Sequence, residues 1–103
     1  MNKFNKYQFI TDLEDYINGE IVNNHIEDSC DLEHYIDEAV QGQTIYYSDC
    51  FDIIRELGFT DWSRCDYEIK NISMLAYVAL TEYVQENLDL KHFYRLIATI
   101  SHK

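Results

Sequence analysis

The sequence has no proline and only three glycines, Gly19, Gly42 and Gly58, in 103 residues. Hairpin turns draw on these two residue types, so helices joined by short loops are expected rather than a strand-rich fold. No apolar stretch approaches the roughly 18 residues that a membrane span requires, and no apolar run follows the opening Met1-Asn2-Lys3-Phe4-Asn5-Lys6. A soluble, unexported protein is expected. Cys30, Cys50 and Cys65 are odd in number and lack paired spacing, which fits neither a secreted disulfide framework nor a zinc pattern and suits reduced thiols in a cytoplasm. No glycine-rich loop is present that could cradle a phosphate. The largest deficit is in charge of one sign: from Tyr7 to Ile54, 48 consecutive residues contain no Lys or Arg.

What is present is acidic and apolar. Nineteen Asp and Glu stand against eight Lys and Arg, a formal net charge of −11, while 47% of the residues are hydrophobic and 15% aromatic. That apolar share can build a core, which argues against a disordered acidic tail, and the length suits one domain, residues 1–103. Direct binding to nucleic acid is disfavoured, because affinity for a duplex comes largely from cations that neutralise phosphates. A partner with a basic surface is favoured instead.

Apolar periodicity predicts an all-α, compact bundle of four to five helices. Phe9, Ile10, Leu13, Ile17 and Ile21 make one stripe between about residues 6 and 23. Asp31 can N-cap a second helix with Leu32, Tyr35, Ile36, Ala39 and Val40 inward and Gly42 ending it. A third helix is expected from about Tyr46 to Leu57, with Phe51, Ile54 and Leu57 on one side and Gly58 stopping it. Residues 59–70 read as a loop in which Trp62 and Tyr67 fold back on the core. The stretch 71–87 is the most apolar, with Ile72, Leu75, Ala76, Ala79, Leu80, Tyr83 and Val84, and is expected to be central. Phe93, Leu96, Ile97 and Ile100 close the bundle from a last helix over 91–100.

The charge is segregated. Residues 7–54 hold 12 carboxylates and no base, whereas residues 55–103 hold 7 acids and 6 bases. A solvated surface kept for solubility is the ordinary explanation of an acidic helix. Helices tuned for stability, however, intersperse bases four residues from acids, and clustered like charges lose those pairs and add repulsion. Carboxylates four apart on a helix, such as Glu33 and Asp37, project from one face about 6 Å apart at a rise of ~1.5 Å per residue. Phosphates along a duplex follow one another at roughly 3.4 Å of axis per strand, on a backbone that winds around it. A shared convex acidic face on the first three helices would therefore resemble a duplex to a protein built to grip one. Asp12, Glu14, Asp15, Glu20, Glu27, Asp28, Asp31, Glu33, Asp37, Glu38, Asp49 and Asp52 are the candidate residues of that DNA-mimic surface.

One stretch carries more than composition. Asp31-Leu32-Glu33-His34-Tyr35-Ile36-Asp37-Glu38-Ala39-Val40, followed by Ile45-Tyr46-Tyr47-Ser48-Asp49-Cys50-Phe51, resembles the Ocr family of phage antirestriction proteins. An Asp-Leu start, an amphipathic helix and a Tyr-Tyr-x-Asp-x-Phe element follow one another there in the same order. The resemblance spans roughly residues 7–90. Asp31 and Asp49 match acid for acid, and Asp37 lies within the motif. It implies an Ocr-like helical fold and a homodimer that looks like bent B-form DNA, with twice the 12 carboxylates of this region, about the charge of ~12 base pairs at two phosphates per pair. It further implies occupation of the DNA-binding groove of type I restriction-modification enzymes, with methyltransferase-based BREX defence as a related target, in the cytoplasm of an infected bacterial host. Catalysis and cofactors are not implied. Phe51 and Ile54 match the family's dimer contacts, and Tyr46 and Tyr47 are expected to pack at the start of the third helix. The chain departs from the pattern in Thr44-Ile45, where a proline precedes the tyrosine pair, and in carrying no acid after Asp89.

Other chemistry is weakly supported. His34 with Asp37 or Glu38 lacks the Glu-x-x-His spacing of metal-carboxylate bundles, and no second copy of the pair appears. His25, His92 and His102 look isolated in sequence. Cys50 lies on an apolar side, where a buried structural thiol is expected rather than a nucleophile. Nine tyrosines lack the interleaved Lys and Arg that base stacking would need. An acidic inhibitor of another basic-groove protein, such as RNA polymerase or a CRISPR effector, is the competing reading, followed by a plain helical adaptor or a small enzyme.

Overall fold

The computed structural model describes residues 4–58 and 72–101. Trp62 and Tyr67, expected as lids, and Cys65 lie outside the described residues. The described residues form five helices: α1 Lys6–Val22, α2 Ser29–Gln43, α3 Tyr47–Leu57, α4 Ile72–Asn87 and α5 Leu90–Ser101. They contain no strand, and the all-α bundle expected from periodicity is observed. None of these helices is long and apolar enough to cross a membrane.

Local side-chain chemistry sets the helix ends. Asn5 opens α1, its Oδ1 accepting from the backbone N–H of Tyr7 and Gln8 at 3.0 Å each. The last turn of α1 closes with Asn24 in the left-handed region, φ 64, a conformation that Asn tolerates better than most residues with a Cβ. The Glu20 carbonyl then receives the backbone N–H of both His25 and Ile26, at 2.8 and 3.2 Å. Ile26, just beyond, is 2% exposed and plugs the gap between α1 and α2.

The start of α2 corrects the expected cap. Asp28, not Asp31, is the N-cap, accepting from the Asp31 backbone N–H at 2.8 Å. Asp31 reaches back to accept from the Glu27 N–H at 3.0 Å, so one free donor of the first turn and the N–H just ahead of the cap are satisfied by a pair of carboxylates. Gly42 does not stop the helix, which runs one residue further to Gln43. Thr44 ends it: its hydroxyl donates to the carbonyls of Gln41 and Val40 at 3.1 and 3.3 Å. Buried Thr44 also accepts the Cys50 thiol through its own carbonyl, at 3.4 Å, which ties the α2–α3 joint. At the far end of α3, Gly58 takes φ 67 and ψ 25, the left-handed cap that glycine adopts without steric cost. Asp89 caps α5, its Oδ1 accepting from the His92 N–H at 3.1 Å.

Buried residues of all five helices form one core. Ile10, Leu13, Ile17 and Ile21 of α1 meet Leu32 and Val40 of α2, Cys50, Ile53 and Ile54 of α3, Leu75, Ala76, Leu80 and Val84 of α4, and Phe93 and Ile97 of α5. α4 packs most extensively on α3 and also lies against α2. α1 contacts α2, α5 and α3. One expectation fails at the start of α3: Tyr46 is 68% exposed rather than packed. The expected packing of Tyr47 lies outside the described residues, which do not include its side chain. Ile54 is only 4% exposed within a single chain, so its apolar surface is used by the core and has little left for a second copy.

Among the described residues Phe93 is the largest fully buried side chain, at 1% exposure, and brings α5 onto the core. Truncating it removes transfer free energy and leaves a cavity. Phe93→Ala should therefore lower stability by about 3–5 kcal/mol in urea denaturation followed by circular dichroism. A loss under about 1 kcal/mol would mean that α5 contributes little to the cooperative unit.

Candidate functional site

Every one of the 12 candidate acids is solvent-accessible. Asp12, Asp15, Glu27, Asp28, Glu33 and Glu38 are exposed, and Glu14, Glu20, Asp31, Asp37, Asp49 and Asp52 are half-buried. Helical spacing produces this arrangement, since the stripe of α1 that faces the core carries Ile and Leu and leaves the acids on the remaining faces.

Two groups form across elements. The first surrounds Tyr35 on α2. Its ring stacks on Tyr16 of α1 with centroids 6.0 Å apart and planes at 29°. Glu20 of α1 and Asp31 and Glu38 of α2 all act electrostatically on its phenol. Burial, and then these carboxylates and Tyr16, hold the phenol above its ordinary pKa. Asp31 and Glu38 stand one turn to either side of Tyr35 on α2, and Glu20 one turn from Tyr16 on α1, so carboxylates from two helices surround one stacked aromatic pair. Two members have imidazole neighbours: His25 Nδ1 lies 2.7 Å from Glu20 Oε2, and His34 Nε2 lies 3.0 Å from Glu38 Oε1. The His25 contact was not legible as a sequence spacing, because it depends on the left-handed turn after α1.

The second group joins α2 to α4 and α5. Glu33 and Asp37, one turn apart, line an open groove of about 430 Å³ with Ile36, Val40, Tyr77 and Tyr94 among its walls. The Tyr77 hydroxyl donates to Asp37 Oδ1, and Gln41 Nε2 donates to Asp37 Oδ2 at 2.6 Å. The bond to Asp37 is the main reason the Tyr77 phenol is held above its ordinary pKa, with burial second. Sequence reasoning missed Tyr77. Its position one residue after Ala76, on the flank of the α4 stripe, was the available signal.

The remaining acids are placed separately. Glu14 and Asp15 border His92 and Phe93 at the α1–α5 seam, and Glu27 and Asp28 border Ile97 and Ile100. Asp12 accepts from the Gln8 amide at 2.7 Å. Asp49 and Asp52 stand on α3, in neither convergent group. Among the described residues, Asp52 is the one candidate acid with an Arg or Lys in ion-pair range, Arg55 at 3.4 Å. Lys6, the first residue of α1, is the one Lys or Arg of these two helices, so among the described residues α1 from Tyr7 onward and α2 carry acids without an interleaved base. No group of three or more His, Cys, Asp or Glu among the described residues is arranged to hold a metal ion. Burial pushes the Cys50 thiol up in pKa, the direction opposite to that of an activated nucleophile.

Set against known proteins, the chain matches no family model, no curated protein and no solved structure.

A pH dependence follows from the phenols. The fold favours the protonated forms of Tyr35, Tyr77 and Tyr83. An unfolded phenol releases its proton near pH ~10, so the stability these groups contribute is fully present below that value and is lost as the pH rises through the higher native values. Tyr77→Phe removes one such group. Urea melts between about pH 8 and about pH 11 should show a shallower alkaline loss for Y77F than for the parent chain. Identical slopes would show that the Tyr77–Asp37 bond does not couple to folding.

Proposed function

We propose that this chain is a DNA mimic that occupies the DNA-binding groove of a type I restriction-modification enzyme and blocks its access to DNA. The observation that carries the reading is the placing of Glu20 of α1 and Asp31 and Glu38 of α2 around the stacked Tyr16–Tyr35 pair, on helices that carry no Lys or Arg beyond Lys6. Solubility alone does not require that arrangement, since the same net charge could be spread with interspersed bases. The motif from Asp31 to Phe51 selects the target class by its resemblance to Ocr-like proteins. The longest dimension of the molecule, 50 Å, equals about 15 base-pair steps at ~3.4 Å each, a length on which a DNA-binding groove can close.

The reading is of a binder without catalysis. A homodimer would double the charged length, and such a dimer would have to use surface other than Ile54. The force is long-range and distributed. It therefore steers association and falls with salt, and no single carboxylate dominates it.

Titration into a purified type I enzyme cutting unmodified duplex is the test. Inhibition should be relieved by excess non-cleavable duplex and by raising salt. Replacing one exposed carboxylate by its amide, such as Asp12→Asn, should change the inhibitory concentration less than about fivefold. Combining Asp12→Asn, Asp15→Asn, Glu33→Gln and Glu38→Gln should raise it at least about tenfold without loss of helical content. Inhibition unaffected by excess duplex would remove mimicry. Its absence, with inhibition of RNA polymerase or a CRISPR effector instead, would move the target to another basic-groove protein.

A further inference from the structure

The groove between α2, α4 and α5 has the makings of a discrete binding site within an otherwise diffuse acidic surface. Its volume, about 430 Å³, falls within the roughly 300–1,000 Å³ of small-ligand pockets. Ile36, Val40, Val84 and Leu90 provide apolar walls, and Tyr77 and Tyr94 add aromatic surface. Glu33 and Asp37 stand along the α2 side of the same groove.

The polar groups are unequally committed. Asp37 already accepts from Tyr77 and Gln41, which fixes its position while leaving lone pairs on both oxygens. Glu33 is exposed and one turn away. Thr81, half-buried in the groove wall, keeps its Oγ1 out of solvent against the Tyr77 phenol, whose own proton is committed to Asp37. Among the described residues no base lines the groove: Leu90 and Tyr94 are its α5 residues, while Arg95 Nε donates to the Lys91 carbonyl of its own helix at 3.3 Å.

The geometry points to this groove as a seat for one arginine side chain of the protein partner. The aliphatic stem would lie on Ile36, Val84 and Leu90. The guanidinium would reach the Glu33 and Asp37 carboxylates, which a helical turn separates by about 5–6 Å at Cβ. Tyr94 adds cation–π surface. Arginine fits better than lysine because its planar fork presents five donors to several acceptors, whereas an ammonium acts as a point charge. The partner's identity rests on the proposed function; the groove's preference for a guanidinium does not.

The probe is N-acetyl-arginine methylamide, titrated into the full chain and followed by amide and tyrosine-ring NMR shifts. Saturable shifts are expected at Glu33, Asp37, Tyr77, Thr81 and Tyr94, with a Kd on the order of 1 mM for a ligand of so few atoms. Glu33→Gln, a change on the surface, should raise that Kd roughly threefold to tenfold, whereas Asp12→Asn should leave it unchanged. The norleucine analogue, which keeps the stem and lacks the cation, should bind much more weakly. Non-saturating shifts spread over all the acidic residues, equal binding of the norleucine analogue, or an E33Q variant that binds as the parent does would each overturn the proposal. Saturable binding with no inhibition of the restriction enzyme would keep the arginine seat and remove the functional reading. Inhibition without saturable binding would do the reverse.

Discussion

Electrostatic self-repulsion is the constraint around which this molecule is built. Twelve carboxylates fall within 48 residues that contain no Lys or Arg, and α1 and α2 place three of them around one pair of stacked tyrosines. Like charges at this spacing oppose the compact state. The opposing force is apolar burial: α1 commits an isoleucine-rich stripe to the core, α4 lies against α2 and α3, and Phe93 fixes α5 in place. Asp28 and Asp31 turn two of the charges to structural use at the N-terminus of α2, where the helix dipole favours anions.

The fold was largely legible because its signals are local. The stripes of α1, α4 and α5 follow from residues three and four apart, and Gly58 stops α3 through a backbone conformation that glycine favours. What escaped was degenerate or distant. Asp28 and Asp31 are both competent caps three residues apart, and nothing in their immediate sequence decides between them. Gly42 has no cap role because Thr44 satisfies the terminal carbonyls with its own hydroxyl. Ile54 and Phe51 read equally as core or interface, and only the arrival of α4 makes Ile54 core. Ile26 and Leu88 are buried at corners, outside any helical stripe.

The candidate surface was legible as composition and only in part as geometry. Sequence placed the acids on helices; packing sorted them into a group around Tyr35, a pair lining the α2–α4–α5 groove, and others at the edges of α5 and on α3. The Tyr77–Asp37 bond joins residues 40 apart in sequence, a separation at which periodicity carries no information. It also gives Asp37 a role different from that of exposed Glu33. One carboxylate holds α2 to α4, and its neighbour is open to a ligand.

The central claim is that the α1–α2 face takes the place of a duplex. Hydrogen-exchange footprinting of the complex with a purified type I enzyme, with and without bound duplex, tests it most directly. The account predicts protection concentrated on α1 and α2, and no protection when duplex already fills the enzyme's groove. Protection confined to α3 and α4, or persisting in a ternary complex with duplex, would contradict it.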